Sequence, residues 1–351
     1  MWKRSLIALL ALSALIAALQ LGGCYYMQAV NGQLELLRKR EPITEVLADD
    51  ALPEDVRQKL DLVLEARQFS VDELQLPDNG SYRSYADLNR DFVVWNVFAA
   101  PEFSLTPKTW CFPVVGCVAY RGYFAEASAR GLADQLAGEG YDVHVGGVPA
   151  YSTLGRFDDP VLNTMVRWSD VDLVTTVFHE LAHQRLFVKG DTAFNEAYAT
   201  AVAEAGLERW LNARGDSDTL ERYFRRDAFR RELTIVADRA RQDLERLYAS
   251  SLDETTMRAR KEERLSQLAD EANRRARELG YENAGWLGRP VNNARLASVS
   301  LYRGYLPQFR AILADCDAEL DCFYAEADRL AALDIEERSA ALGAQAATVA
   351  D

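Results

Sequence analysis

The sequence predicts an α+β protein that is predominantly helical, with a small antiparallel sheet. Three observations carry that expectation. Runs with strand character are short and fall before residue 146. Several helical stretches follow one another after residue 170. The segment His179-Glu180-Leu181-Ala182-His183 sits inside an apolar run, Val171 to Val188, that suits a helix.

Taken in order, residues 1–23 have the form of a signal peptide. Lys3 and Arg4 precede an apolar stretch, Leu6 to Leu21, which is short for a membrane span of about 20 residues. Leu21-Gly22-Gly23-Cys24 resembles the bacterial lipobox, in which the cysteine receives a lipid and becomes the new N-terminus. A transmembrane anchor is the alternative. Tyr25 stands where an aspartate would resemble an inner-membrane retention signal. Its presence points to a lipid-anchored protein of the bacterial envelope, on the outer membrane and facing the periplasm.

Residues 24–50 read as a lipidated tether that enters a helix over Met27 to Arg38. Pro53 to Ser70 is expected to be helical, with Val56, Leu60, Val63 and Leu64 spaced for one face. Pro77-Asp78-Asn79-Gly80 is a turn. Phe92 to Phe98 is a buried strand, Val115 to Tyr123 a second, and Tyr141 to Val145 a third that ends at a Gly146-Gly147 turn. Phe124 to Gly138 is a helix closed by its glycine. The turn-rich Tyr151 to Pro160 stretch is either a substrate rim or a plain connection. Gly190 ends the following helix, and Asp191 or Thr192 caps the next, Phe194 to Glu204. Asp218 to Glu278, rich in Arg and Glu, reads as a helical hairpin with solvated faces. One more helix spans Asn293 to Asp315, and the Ala-rich end reads as a flexible tail. The division expected is a catalytic core over 51–217, a helical extension over 218–330 and a tail over 331–351.

The formal charge is −14, and loss of residues 1–23 removes Lys3 and Arg4 but no acid. An acidic chain without a basic patch is repelled by nucleic acid, which excludes that class of partner. Four cysteines follow Cys24, as Cys111/Cys117 and Cys316/Cys322. In an oxidising compartment they pair locally as two disulfides, with four free thiols the alternative. Neither spacing suits a zinc knuckle. The oligomeric state is left open.

Residues four apart on a helix share a face. His179 and His183 can therefore reach one metal ion, with Glu180 beside them to carry a proton. That is a zinc-hydrolase arrangement. The chain has 3 histidines, and two stand here, which argues against chance. Catalytic zinc takes three protein ligands, and one zinc ion is expected per chain. Glu196 is the first candidate for the third ligand, because it lies in the first turn of a helix that returns beside His183. Glu204, two turns further on the same face, is held in reserve as a ligand or as a partner of one.

His179-Glu180-x-x-His183 followed by Asn195-Glu196-Ala197 resembles the gluzincin metallopeptidases. The resemblance implies a zincin-like catalytic domain in which His179, His183 and the later glutamate hold zinc and Glu180 takes the water proton. The gap between His183 and Glu196 is shorter than in the best-known members, which keeps Glu204 in play. A closer similarity is to a family of bacterial lipoproteins described as zinc aminopeptidases. It rests on Thr109-Trp110-Cys111-Phe112-Pro113, Tyr120-Arg121-Gly122-Tyr123-Phe124, Ala150-Tyr151-Ser152-Thr153-Leu154-Gly155, Phe157-Asp158-Asp159-Pro160 and Asn292-Asn293-Ala294-Arg295-Leu296.

That similarity implies a peptide substrate hydrolysed with Glu180 as general base. The oxyanion needs a donor besides the metal, and Tyr151, Arg121, Tyr302 and Tyr305 are the candidates; each is equally a packing residue. His144, the third histidine, borders the cleft or simply supports its strand. Thr200, one turn beyond Glu196, touches a group behind the ligands or fills the helix interface. An aminopeptidase also needs an acid for the substrate α-amine, and Asp158, Asp159 and Glu204 are available. The sequence does not choose among an aminopeptidase, an endopeptidase and an amidase acting on another envelope substrate. A non-catalytic zinc-binding lipoprotein is the reading from a different class, and the intact Glu180 argues against it.

Overall fold

The structure, a computed structural model, describes residues 25–112, 116–285, 291–300 and 304–348. The signal segment, Cys24 and Tyr302 lie outside the described residues. Helix α1 (25–39) leads through β1 (Arg40–Pro42) and α2 (Ile43–Val46) to α3 (Glu54–Asp72). Then come β2 (Ser84–Ala86), β3 (Val94–Pro101), β4 (Trp110–Phe112), β5 (Gly116–Val118), β6 (Arg121–Tyr123), α4 (Glu126–Gly138), β7 (Tyr141–Val148) and β8 (Val161–Leu162). The rest is helical: α5 (Asp170–Arg185), α6 (Thr192–Ala213), α7 (Ser217–Tyr248), α8 (Glu254–Glu278), α9 (Asn293–Ser300), α10 (Leu306–Asp315), α11 (Leu320–Ala331) and α12 (Ile335–Thr348). The predominantly helical α+β class holds.

The central sheet, ordered β6-β3-β7, is antiparallel throughout. Successive residues of a strand face opposite ways, and β3 is apolar on both sides. Trp95, Val97 and Ala99 pack with Tyr123 on Ala129 and Leu136 of α4. Phe98 and Ala100 face the other way, toward Ala294 of α9 and Tyr120. A second sheet, β1-β2-β8, pairs β1 antiparallel and β8 parallel. The β4-β5 hairpin sets Cys111 directly opposite Cys117, and the two are bonded. The second disulfide, Cys316–Cys322, links the end of α10 to the start of α11.

Several expected boundaries are corrected. Gly146-Gly147 is no turn: β7 runs through it, paired with Asn96 and Trp95. The Phe92 ring occupies the space of a residue-147 side chain, so a Cβ there would meet it at 2.4 Å. The expected Val115–Tyr123 strand is two short strands in different sheets, and Asn293–Asp315 is two helices. Of the expected tether over 24–50, the described residues 25–50 are packed onto the fold, with Leu36 and Ile43 buried in the main core. The helical extension is not one unit either. α7 and α8 share a core of their own, with Leu233, Ala240 and Leu244 against Leu268 and Ala272. By contrast Leu306, Phe309, Phe323 and Leu330 of α10 and α11 join the main core.

The flexible tail is also corrected, because residues 335–348 form α12. Leu342 is buried, and the buried Arg338 reaches the Asp191 carboxylate and the carbonyls of Leu330 and Leu333. An arginine anchor is invisible to apolar periodicity, which is why the segment reads as loose. Among the described residues no helix is long and apolar enough to cross a membrane.

Candidate metal centre

Helix α5 is started by Ser169, whose hydroxyl accepts from the Asp172 amide (3.2 Å) and donates to its carboxylate (2.7 Å). Such reciprocal capping, with Asp170 and Asp172 near the positive helix end, fixes the first turn. Leu173, Val174, Val177, Phe178 and Leu181 go into the core. The stripe carrying His179, Glu180 and His183 is left for the site.

The turn between α5 and α6 is short because several groups hold it. Gly190 takes φ +85°, a conformation that favours glycine. The Asp191 carboxylate caps α6 by accepting from the Phe194 amide at 3.0 Å, so Asp191, not Thr192, is the cap. The Asn195 amide bonds Val188 in both directions, at 2.7 Å each. Glu196 is the next residue. It is thereby carried back over the histidines in the first turn of α6.

The two Nε2 atoms of His179 and His183 stand 3.1 Å apart. Glu196 puts one carboxylate oxygen 3.4 Å from His179 Nε2 and the other 3.7 Å from His183 Nε2. Tetrahedral zinc ligands at about 2.0–2.2 Å are roughly 3.3–3.6 Å from each other. The three donors therefore fit one ion, and their ligand atoms all lie within 4.8 Å of one another. His183 Nδ1 is buried with no hydrogen-bond partner among the described residues. Packing holds its ring instead, with Phe187 edge-on at 6.2 Å.

The electrostatics divide the four groups. Burial lowers the His183 pKa to about 4, with the neighbouring His179 adding to the shift. Burial works the same way on His179, but the hydrogen bond to Glu196 and the charges of Glu180 and Glu196 outweigh it and raise its pKa. Burial would raise Glu196, yet its hydrogen bond to His179 and both imidazole charges hold it below the usual range. Glu180 goes the other way: burial raises it, with the Glu196 and Asp159 charges adding to the shift, against the opposing pull of His179 and the Ser152 hydroxyl. The two site carboxyls are thus shifted in opposite directions, Glu196 down and Glu180 up.

Two tyrosines and a serine act on Glu180, and a third tyrosine lies beside one of them. The Tyr120 hydroxyl lies near both site carboxylates: burial raises its pKa, then Glu196 and Glu180 raise it further. Tyr82 is pushed well up by burial, Glu180 and Asp159, and shares a hydrogen bond with Ser152. Tyr151 is raised by burial, Asp159 and Tyr120. The Tyr151–Pro160 stretch is therefore packed onto the site. It is built around Asp159, which is buried and accepts from the Thr153 amide and hydroxyl at 2.8 Å each.

The other sequence candidates are placed elsewhere. Arg121 stacks over Tyr25 at 4.1 Å, on the same strand face as Tyr123. Tyr305 donates to Ser339 of α12. Glu204 is bound by Arg310 at 2.8 and 2.6 Å, and Arg310 also bonds Asp227 of α7 at 3.0 Å. It ties α6 to α10 and α7 and is not part of the three-donor group. Asp158 is exposed. His144 stacks on Phe98 at 6.1 Å, and burial with the Arg295 charge lowers its pKa to about 4. Thr200 is half-buried on α6.

Tyr120, Ser152 and Tyr82 were missed by sequence reasoning. A signal for Tyr120 existed. Alternation along β6 puts Arg121 and Tyr123 on the α4 side, so the residue on the site side had to be the neighbour of Arg121.

Two imidazoles, a carboxylate closing the third corner and a second carboxylate alongside make a candidate mononuclear metal centre. The chain belongs to the family described as "Putative aminopeptidase", which matches residues 24–342. Membership points to peptidase activity and a peptide substrate. No curated protein and no solved structure matches the chain.

Proposed function

We propose that this protein is a zinc-dependent aminopeptidase, anchored by a lipid on Cys24 in the bacterial envelope. The observation that carries the reading is the convergence of His179, His183 and Glu196 donors within 4.8 Å, with Glu180 next in sequence to one of them. His179 Nε2, His183 Nε2 and a Glu196 oxygen would hold the ion. When bound, zinc supplies a Lewis acid that polarises a carbonyl and acidifies water.

The chain's own residues do the rest. The Glu180 carboxylate accepts the proton of the attacking water and passes it to the leaving amine nitrogen. Burial raises its pKa, which makes it a stronger proton acceptor than an exposed carboxylate. The Tyr120 hydroxyl stays protonated and donates toward the developing oxyanion, the role for which the sequence offered Tyr151, Arg121, Tyr302 and Tyr305. Ser152 and Tyr82 hold Glu180 in place from behind. A purely structural zinc site has no use for a buried carboxyl of raised pKa, which argues against the non-catalytic alternative.

The test compares matched peptides with a free and an acetylated N-terminus. Zinc-loaded protein should cleave the free-amine peptide and spare the acetylated one, and a chelator should stop cleavage. Equal cleavage of both would make the enzyme an endopeptidase, and cleavage of neither would remove the peptidase reading.

A further inference from the structure

Helix α1 has two apolar faces, and the fold uses only one of them. Tyr25, Gln28, Gly32 and Leu36 turn inward. The Tyr25 ring stacks on Phe112 at 5.5 Å, and the Gln28 amide accepts from the Phe124 amide at 3.0 Å. The Phe124 ring fills the space beside Gly32, and Leu36 is buried. On the outer side Tyr26, Met27, Val30 and Leu34 are 47%, 61%, 53% and 45% exposed. Their spacing makes one continuous stripe. No other described helix exposes more than two large apolar side chains, and α7, with Phe224 and Ile235, is the one that reaches two.

The stripe ends in charge of one sign. Arg38 is exposed one turn beyond Leu34, on the same face. Its Nε donates to the Leu34 carbonyl at 3.1 Å, and no carboxylate pairs with it among the described residues. The nearest acid along the helix, Glu35, is turned aside onto Arg90 at 2.9 Å and Lys39 at 3.8 Å. An apolar stripe bordered by a basic group suits the boundary between acyl chains and anionic headgroups.

The chain before α1 says which occupant to expect. Residues 1–24 lie outside the described structure and carry the apolar Leu6–Leu21 segment, and the described part of α1 follows at the very next residue. We propose that α1 lies flat on a lipid bilayer, with Tyr26, Met27, Val30 and Leu34 in the interface and Arg38 at the headgroups. Tyr26 and Arg38 are about 18 Å apart along the axis, so both touch the surface only if the helix runs parallel to it. The contact goes beyond the peptidase reading and does not rest on it. It holds whether the anchor is a lipidated Cys24 or an uncleaved apolar segment.

Full-length protein in bacterial membranes tests this with a photoreactive benzophenone amino acid placed singly at Val30, Leu34, Lys39, Phe224 or Ile235. After irradiation, mass spectrometry should find phospholipid adducts at positions 30 and 34. It should find at least tenfold fewer at 39, which is on the same helix but turned away, and at 224 and 235. A protein adduct at 30 and 34 would mean a partner or a second copy covers the stripe, and would overturn the proposal. So would equal lipid labelling at 30 and 39, or no adduct at 30 and 34. The mass of the N-terminal peptide reports lipidation of Cys24 separately, so failure of the anchor reading is seen apart from failure of this one.

Discussion

Two antiparallel helix pairs, α5–α6 and α7–α8, are built from similar seams and do different things. The α7–α8 seam is small and apolar, with Ala237, Ala240 and Leu244 meeting Leu268, Ala272 and Ala276. Its outer faces are laced with exposed ion pairs such as Arg275–Glu232 and Arg246–Asp243. Exposed pairs of this kind contribute about 0–1 kcal/mol each. The α5–α6 pair is packed on by α3, α10 and the sheets, and holds His183, Asn195 and Asp191 buried inside an apolar core. Burying polar groups costs free energy unless each is satisfied. The α7–α8 pair also buries Asp227 and Lys261, each in an ion pair with another element, Arg310 and Asp142, but only the α5–α6 pair gathers three metal-ligating donors at one point among the described residues.

The largest expected effect breaks the first pair's function outright. His183→Ala should drop zinc from about one per chain to near zero and abolish peptide turnover, because two ligands cannot hold a catalytic ion. Metal analysis of the purified variant checks it. Glu180→Gln should come next: zinc and thermal stability stay as in wild type, while kcat falls by about 10²–10⁴-fold. Wild-type turnover in that variant would leave the buried carboxyl without a role. Tyr120→Phe should lower kcat by about 10²-fold with little change in KM, as expected for a donor used mainly in the transition state. Arg121→Ala and Tyr305→Phe are the controls. Turnover reduced by Arg121→Ala and not by Tyr120→Phe would reverse the assignment. The smallest effect on function belongs to the second pair. Leu268→Ala should cost about 2–5 kcal/mol of stability in a denaturation experiment, and the protein still folded should turn over peptide at close to the wild-type rate.

The same contrast explains what could be read in advance. His179 and His183 were legible because their four-residue spacing puts them on one helix face, with Glu180 beside them. Glu196 was legible because Gly190 and Asp191 announce a short turn and a cap. The α7–α8 hairpin was legible from its run of Arg and Glu, while the alanine and leucine seam that joins its helices was not read. What escaped was nonlocal. Glu204 looks like a spare ligand until Arg310, far along the chain, is seen to hold it. Arg338 gives no apolar signal, yet it locks α12 onto the Asp191 cap. Ser152 and Tyr82 come to Glu180 from two turns whose packing no periodicity encodes. Tyr120 was hidden by its neighbour, since Arg121 is the more conspicuous side chain and points the wrong way.

The central claim is that Glu196, and not Glu204, completes the site. Zinc stoichiometry of purified Glu196→Ala and Glu204→Ala, measured beside wild type, tests it most directly. One zinc per chain is expected in wild type and in any Glu204→Ala protein that folds without its Arg310 bond, and a small fraction of that in Glu196→Ala. Full zinc occupancy in Glu196→Ala, or its loss only in a folded Glu204→Ala, would contradict the account.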